Sequence, residues 1–442
     1  MSNFKFVRNF ENNLDAILYK NNIIYFKYDN SYVIIEKIEN EDNLNELINR
    51  LICYSYNKYQ GVIYNGDFEL SKYNFIYQKE LGRYLLDFEN VKIKRFVKVG
   101  VLRTGDKNNI CDVDGVLVGQ KSIKTEKYNT GVTVVKPHRG NVFKEKVVAG
   151  CHVHNGFGKS MGFVQINELG TIETNVAITG TLNIGKISDA VIEESLNNNP
   201  EIGITTGTVN PIVLECNDSS LNDSRDRAIS KEDYFDALDD LRDDFFQGAV
   251  GGGCGMVCHG FKGGIGSASR KIMIGDNEYT LGVIVNSNFG SGNGKDLIFN
   301  GVKLGDEIKT LQDHEDKGSI TVLVVTDVPL DNRQLNRVVK RCSMGISRTG
   351  SFAGNGSGDV FVGFTTANKV SHFVTSPIDN VIRLSDNYIN GCFRACVEAT
   401  EEAVLNSMLF SVTTKGSRNT ILDIRSYFEC IIDLLNPEII YK

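Results

Sequence analysis

From residue 100 onward the chain alternates short apolar runs with glycine turns, which predicts strands. Val113–Val118 and Thr130–Val135 read as strands. Tyr279–Asn286 and Ser319–Thr326 are stronger, β-branched runs. Two segments carry helical spacing instead. In 231–246, Ser230-Lys-Glu-Asp233 forms a capping pattern, and Phe235, Leu238, Leu241 and Phe245 share one face. In 386–408, which starts after Ser385, Ile389, Cys392, Phe393, Cys396 and Val397 share a face. Strands mixed with segregated helices suggest an α+β layered sandwich rather than a regular βαβ alternation.

The first 95 residues pattern differently. Asn22–Tyr28 and Tyr32–Ile38 are strand candidates around the turn cluster Asp29-Asn-Ser31. Leu44, Leu47, Ile48, Leu51 and Ile52 form a helical stripe. This segment holds only 3 of the 43 glycines but 11 of the 17 tyrosines, so it reads as a separate small α+β domain, 1–95, preceding a second domain, 96–442. The boundary falls in the basic stretch Val91–Lys98. No catalytic constellation is visible in the first domain, which suits docking, association or covering.

The net charge of −7 argues against a broad nucleic-acid-binding surface. Apolar runs such as Ile320–Val325 are far shorter than the ~20 residues a membrane helix needs. Residues 1–17 carry Lys5, Arg8, Glu11 and Asp15 without an apolar core, unlike a signal peptide. Ten scattered cysteines then fit reduced thiols in a cytoplasmic protein.

Several motifs point to weak chemistry. Cys254-Gly-Met-Val-Cys258-His259 lacks the second ligand pair of a structural zinc site, and Cys392/Cys396 lie on a helical stripe. Gly290-Ser-Gly-Asn-Gly-Lys295 departs from the phosphate-loop pattern at Phe289 and Asp296. No histidine sits near a G-x-S-x-G motif, so a hydrolase would need another base. Gly318-Ser319 offers one. A polar turn ends in glycine, and serine opens an apolar strand. A cut there would give Ser319 a free α-amine, which titrates near ~8 and can serve as base for its own hydroxyl. Glycine before the serine would allow a strained backbone and leave its carbonyl open to attack. The alternative is a plain strand start. Downstream, glycines flank Ser357, and Asp359 is placed to orient it or to hold an ammonium. The alternative there is a polar turn before a strand.

Eleven stretches, in order, resemble the self-processing D-esterase/L-aminopeptidases and β-peptidyl aminopeptidases (DmpA-type). Among them are Asp112-Val-Asp-Gly-Val-Leu-Val-Gly119, Asn155-Gly-Phe-Gly158, Gly251-Gly-Gly-Cys-Gly-Met256, Phe261-Lys-Gly-Gly-Ile-Gly-Ser-Ala-Ser-Arg270, Gly318-Ser-Ile320 and Asn355-Gly-Ser-Gly-Asp-Val360, and the whole set covers roughly 100–415. The resemblance implies a four-layer αββα sandwich similar to the N-terminal nucleophile hydrolases. It implies cleavage at Gly318–Ser319, Ser319 as nucleophile with its amine as base, Ser357 and Asp359 ordering them, and Asn288 donating to the oxyanion. Substrates would be short peptides, amides or esters with a free N-terminal amine, β- and D-residues included. No metal or organic cofactor is implied. Homo-oligomers of processed heterodimers, often tetramers of such pairs, are the family habit.

The chain departs from the family in three places. Asn217 stands where a tyrosine that helps at the oxyanion is common. Asp359 is one methylene shorter than the Glu of some members. Residues 1–95 are an addition. Two other readings stay open from the sequence: an acyltransferase of the ornithine acetyltransferase type, and a non-catalytic descendant.

Overall fold

The computed structural model describes residues 94–427 except 293, 306, 307 and 309–317, then 431, 434 and 435, together with the backbone of strands within 4–93 and 438–441. The chain divides into two compact units: Met1–Lys98 with Tyr427–Lys442, and Val99–Ser426. In the first unit, a seven-stranded sheet includes Phe4–Asn9, Leu14–Tyr19 and Asn22–Lys27 as antiparallel neighbours. Of the strand expected at 32–38, Val33–Ile35 is a strand, and the other positions lie outside the described residues. The helical stripe at 44–52 lies outside the described residues. The sequence places residues 427–442 with the second domain. They fall in the first unit because Glu438–Tyr441 pairs antiparallel with Val91–Arg95.

The second unit is built on two sheets. The smaller uses β1 (Leu117–Lys124), β2 (Asn129–Lys136), β5 (Val176–Gly180) and β6 (Ile212–Cys216), in the order β6-β5-β2-β1. The larger uses β3 (Glu145–Gly156), β4 (Thr171–Ile172), β7 (Gly264–Ile274), β8 (Asn277–Asn288), β9 (Ser319–Thr326) and β10 (Gly358–Ser371), in the order β4-β3-β10-β9-β8-β7. Parallel neighbours need a crossover. One helix of 15 residues, α2 (Ile184–Asn198), joins β5 to β6, while α4 (Asn332–Val339) and α5 (Cys342–Ser347) lie between β9 and β10. A short α1 (Phe163–Leu169) precedes β4.

The two sheets face each other across an apolar core. Val118, Val135, Ile178 and Leu214 of the smaller sheet join Val147, Ile284, Leu323, Val325 and Val362 of the larger. Strand alternation turns Val132, Val134 and Ala177 the other way, onto Ile187, Val191, Tyr234 and Ala237 of α2 and α3 (Lys231–Asp239). On the outer face of the larger sheet, α6 (Asn390–Leu409) packs on β7 and β8, and α4 packs on β3 and β10. The result is the αββα order that the resemblance implies.

Two anticipated elements differ. Helix 231–246 stops at Asp239, although its capping box is present. Arg242 exchanges backbone hydrogen bonds with Val118 of edge strand β1 at 2.9 and 3.0 Å, which pulls the chain out of helical geometry. The strand read at 113–118 begins only at Leu117. Just upstream, Asp112 captures the Lys107 and Asn109 N–H groups and closes a one-turn 3₁₀ helix, Ile110–Asp112.

Candidate active site

Four strand ends meet at one end of the larger sheet. Strands β9 and β10 are parallel and begin there, while β8 and β3 run against them and end there. The register places Asn288 opposite Ser319, and Asn155 and Gly156 opposite Asp359 and Gly358. Topology therefore gathers residues that lie far apart in the sequence, Asn288 with Ser319 and Asn155 with Asp359.

Ser319, Ser357, Asp359 and Asn288 are all buried, so their polar groups must find partners. The Ser319 Oγ accepts from the Gly358 N–H at 3.1 Å. Asp359 Oδ1 accepts from the Ser357 hydroxyl at 2.5 Å and from the Ile320 N–H at 3.2 Å. Asn288 Oδ1 accepts from the Val257 N–H at 2.9 Å, which sets the amide's orientation and leaves Nδ2 as its donor end. The structure thus brings Ser319, Ser357, Asp359 and Asn288 together.

Two glycines are required by contact. A Cβ at Gly318 would lie 1.9 Å from the Asn288 carbonyl oxygen and 2.5 Å from Phe289 Cα. A Cβ at Gly358 would lie 2.5 Å from the Gly158 nitrogen and 3.1 Å from Ser319 Oγ. Gly318 does not adopt a positive φ. Its reason for being glycine is therefore close approach of two backbones rather than the strained geometry anticipated from sequence.

The smaller sheet closes the site from the other side. The buried Cys216 thiol, at the end of β6, donates to the carbonyls of Asn286 at 3.2 Å and Ser319 at 3.5 Å. Burial pushes this thiol well above its usual pKa, so it is a neutral strut. Beside it, the Glu215 carboxylate is 2% exposed. It accepts from the Lys159 N–H at 2.7 Å and from the Thr181 hydroxyl. A Cβ on Gly158 would be 3.4 Å from Glu215 Oε1 and 3.5 Å from Gly358 Cα, so the carboxylate borders the serine cluster. Asn217 is exposed, and its Oδ1 accepts from the Ser219 N–H and hydroxyl at 3.1 and 2.7 Å.

Glu215 is not among the candidate residues that the sequence marks. The available signal was a carboxylate directly following the apolar strand residues Ile212–Leu214. A cleft of about 290 Å³ opens beside Asp359 and is lined also by His154, Met344, Ile346, Phe352 and Ala353. A second cleft of about 300 Å³, among Lys136, Arg139, Phe143, Glu173 and Asn199, includes none of the serine-cluster residues. Of the motifs read as weak, Cys254 donates to the Ala249 carbonyl and both Cys254 and Cys258 are buried thiols.

Comparison with known proteins agrees with this geometry. The profile of Peptidase family S58 matches residues 108–422. Beta-peptidyl aminopeptidase BapA of Sphingosinicella xenopeptidilytica is 34% identical over 340 residues, covering 71% of this chain and 84% of that protein. Among solved structures, the PH0078 protein from Pyrococcus horikoshii OT3 superposes with a TM-score of 0.73 at 43% identity, covering 76% of this chain and 96% of that one. The L-aminopeptidase D-Ala-esterase/amidase of Ochrobactrum anthropi, described as a prototype for the serine aminopeptidases and a variant of the Ntn hydrolase fold, gives 0.71 at 31% identity, covering 77% and 97%. The chain belongs to peptidase family S58 and is a serine aminopeptidase of the N-terminal-nucleophile type.

Proposed function

We propose that the protein cuts itself between Gly318 and Ser319 and then releases N-terminal amino acids, β- or D-residues included, from short peptides, amides or esters. The observation that carries this reading is the buried Ser319 hydroxyl at the start of β9, held by the Gly358 N–H with the Ser357–Asp359 pair beside it. In the continuous chain the hydroxyl adds to the Gly318 carbonyl, and the peptide nitrogen leaves as the Ser319 amine. Water then hydrolyses the resulting ester and regenerates the hydroxyl.

In the processed enzyme that amine takes the hydroxyl proton as Oγ attacks the substrate carbonyl. The Asn288 Nδ2 donates to the tetrahedral oxyanion, a contact worth about 3 kcal/mol of barrier. The amine returns the proton to the leaving group, and water releases the acyl product. Asp359, braced by Ser357, lies one peptide from the Ser319 nitrogen and holds its ammonium form when the proton is stored there. Glu215 supplies the fixed negative charge that receives the substrate's own ammonium. The cleft at Met344, Ile346 and Phe352 receives a substrate side chain.

Met1–Lys98 with Tyr427–Lys442 is an addition to the catalytic unit, Val99–Ser426. Val374, Ile378, Val381 and Ile382, between β10 and α6, are 66–75% exposed. They support assembly of copies, up to a tetramer of processed heterodimers. Among the described residues eight cysteines are buried thiols, which supports a cytoplasmic setting. No described helix is long and apolar enough to cross a membrane.

Intact-mass measurement of the purified protein tests the reading. A piece ending at Gly318 and a piece starting at Ser319 are expected, with kcat/KM rising with pH through about 8 as the amine deprotonates. An uncut chain that turns over substrate would overturn it. Glu215→Gln keeps acceptor and donor atoms for Lys159 and Thr181 but removes the charge. It is expected to lower kcat/KM about 10- to 100-fold, mainly through KM, as loss of one charged hydrogen bond requires. Steady-state kinetics on an amino-acid p-nitroanilide check this, and an unchanged KM would remove Glu215 from substrate recognition.

A further inference from the structure

Lys262 is fully buried, yet among the described residues it forms no ion pair. It sits on the hairpin Val257–Cys258/Phe261–Lys262, directly opposite Val257. Its Nζ donates to three backbone carbonyls: Gly253 at 3.1 Å, Met256 at 2.7 Å and Gly263 at 2.6 Å. An ammonium has three donors and no acceptor, and here each donor has one partner. A charge taken out of water with only neutral oxygens around it is an expensive arrangement, which calls for a return elsewhere.

That return lies in what the three carbonyls belong to. They bracket the segment 253–263, and the Gly263 N–H closes it further on the Met256 carbonyl at 3.0 Å. The next N–H along, that of Val257, is the donor that orients Asn288 at 2.9 Å. Two residues further, the His259 N–H donates to the Phe289 carbonyl at 2.7 Å. Asn288 and Phe289 are also the backbone on which Gly318 is seated. One ammonium therefore organises the turn that holds both the amide opposite Ser319 and the chain under the scissile bond.

We propose that Lys262 is a positioning residue for the reaction: its ammonium clamps the 253–263 turn so that the Val257 N–H holds the Asn288 carboxamide with Nδ2 turned to the oxyanion. This rests on the reading of Asn288 and Ser319 given above. Lys262 itself touches neither. Burial lowers its pKa to about 7, with Lys124 pulling the same way and Cys254 and Cys258 opposing it. The titratable groups facing it are the Cys254 and Cys258 thiols and Lys124.

The test is a double-mutant cycle between Lys262→Met and Asn288→Ala, read by kcat and KM on an amino-acid p-nitroanilide and by the rate of chain cleavage. Lys262→Met is expected to lower kcat and the cleavage rate about 10- to 100-fold with KM within twofold. The double variant should be no slower than Asn288→Ala alone. A folded Lys262→Met with kcat within twofold of wild type, or effects that multiply in the double variant, overturns the proposal. Ser319→Ala in the same assay separates the two levels, because turnover there would sink the nucleophile assignment and not the clamp alone. If Lys262→Met does not fold, Lys262→Gln, which retains two donors, takes its place in the cycle with the same expected outcomes. If neither folds, hydrogen exchange of the wild-type Val257 amide decides. Protection equal to that of the Asn286–Asn288 amides supports the clamp, and fast exchange overturns it.

Discussion

Ser319→Ala will yield one uncut chain of full mass and will abolish aminopeptidase turnover. Both events use the same oxygen, first against the Gly318 carbonyl and then against substrate, so no partial phenotype is expected. Loss of a nucleophile that works together with its base costs at least about 10⁴-fold in kcat. The variant should still fold. Among the described residues the hydroxyl accepts one hydrogen bond, from the Gly358 N–H, and leaving that buried donor unpaired costs about 1–3 kcal/mol. Intact mass and thermal unfolding of the variant, beside the wild type, check both halves. Ser319→Cys keeps a nucleophile in the same place, and is expected to retain cleavage at a reduced rate.

The largest stability effect is expected from a site remote from the serines. Arg270, on β7, is fully buried and reaches α6, where it donates to Glu402 at 2.6 Å and Glu398 at 3.3 Å. It also donates to the carbonyls of Val99 and Ser269. Glu398 in turn accepts from the Val101 and Leu102 N–H groups, and Asn108 donates to Glu402 at 2.5 Å. Arg270→Leu would take the guanidinium partner from two buried carboxylates and three carbonyls, that of Glu398 included, at once. Breaking a buried pair by removing one partner costs about 3–5 kcal/mol. Chemical denaturation should show that loss as a lower midpoint with little change in slope. A variant within 1 kcal/mol of wild type, by the standard of surface substitutions, would mean that the network is not coupled to folding.

Strand β9 was legible because burial on both faces leaves a β-branched, largely apolar run, Ile320–Val325, between polar ends. The capping box at Ser230 was legible as well, since it is local. The length of α3 was not, because its end is decided by a strand from elsewhere in the chain. The same holds for the site. Gly318-Ser319 and Ser357–Asp359 stand out locally, but the Ile320–Asp359 and Gly358–Ser319 hydrogen bonds exist only through the β9/β10 register. Lys262 lies in the stretch Phe261–Arg270, but nothing in that pattern singles it out, and Glu215 is not marked by spacing either. Their significance comes from burial and from which backbone groups they engage, and both are properties of the folded chain.

The order of strands in the larger sheet has a mechanical consequence. A break before Ser319 would assign β9 and β10 to the downstream piece, while β8 on one flank and β3 on the other stay with the upstream piece. The severed halves would be dovetailed, the downstream pair of strands wedged between two strands of the upstream piece. Parting them means unzipping two full rows of main-chain bonds through the middle of the core, so the nick would create a new chain end without giving either half the freedom to leave.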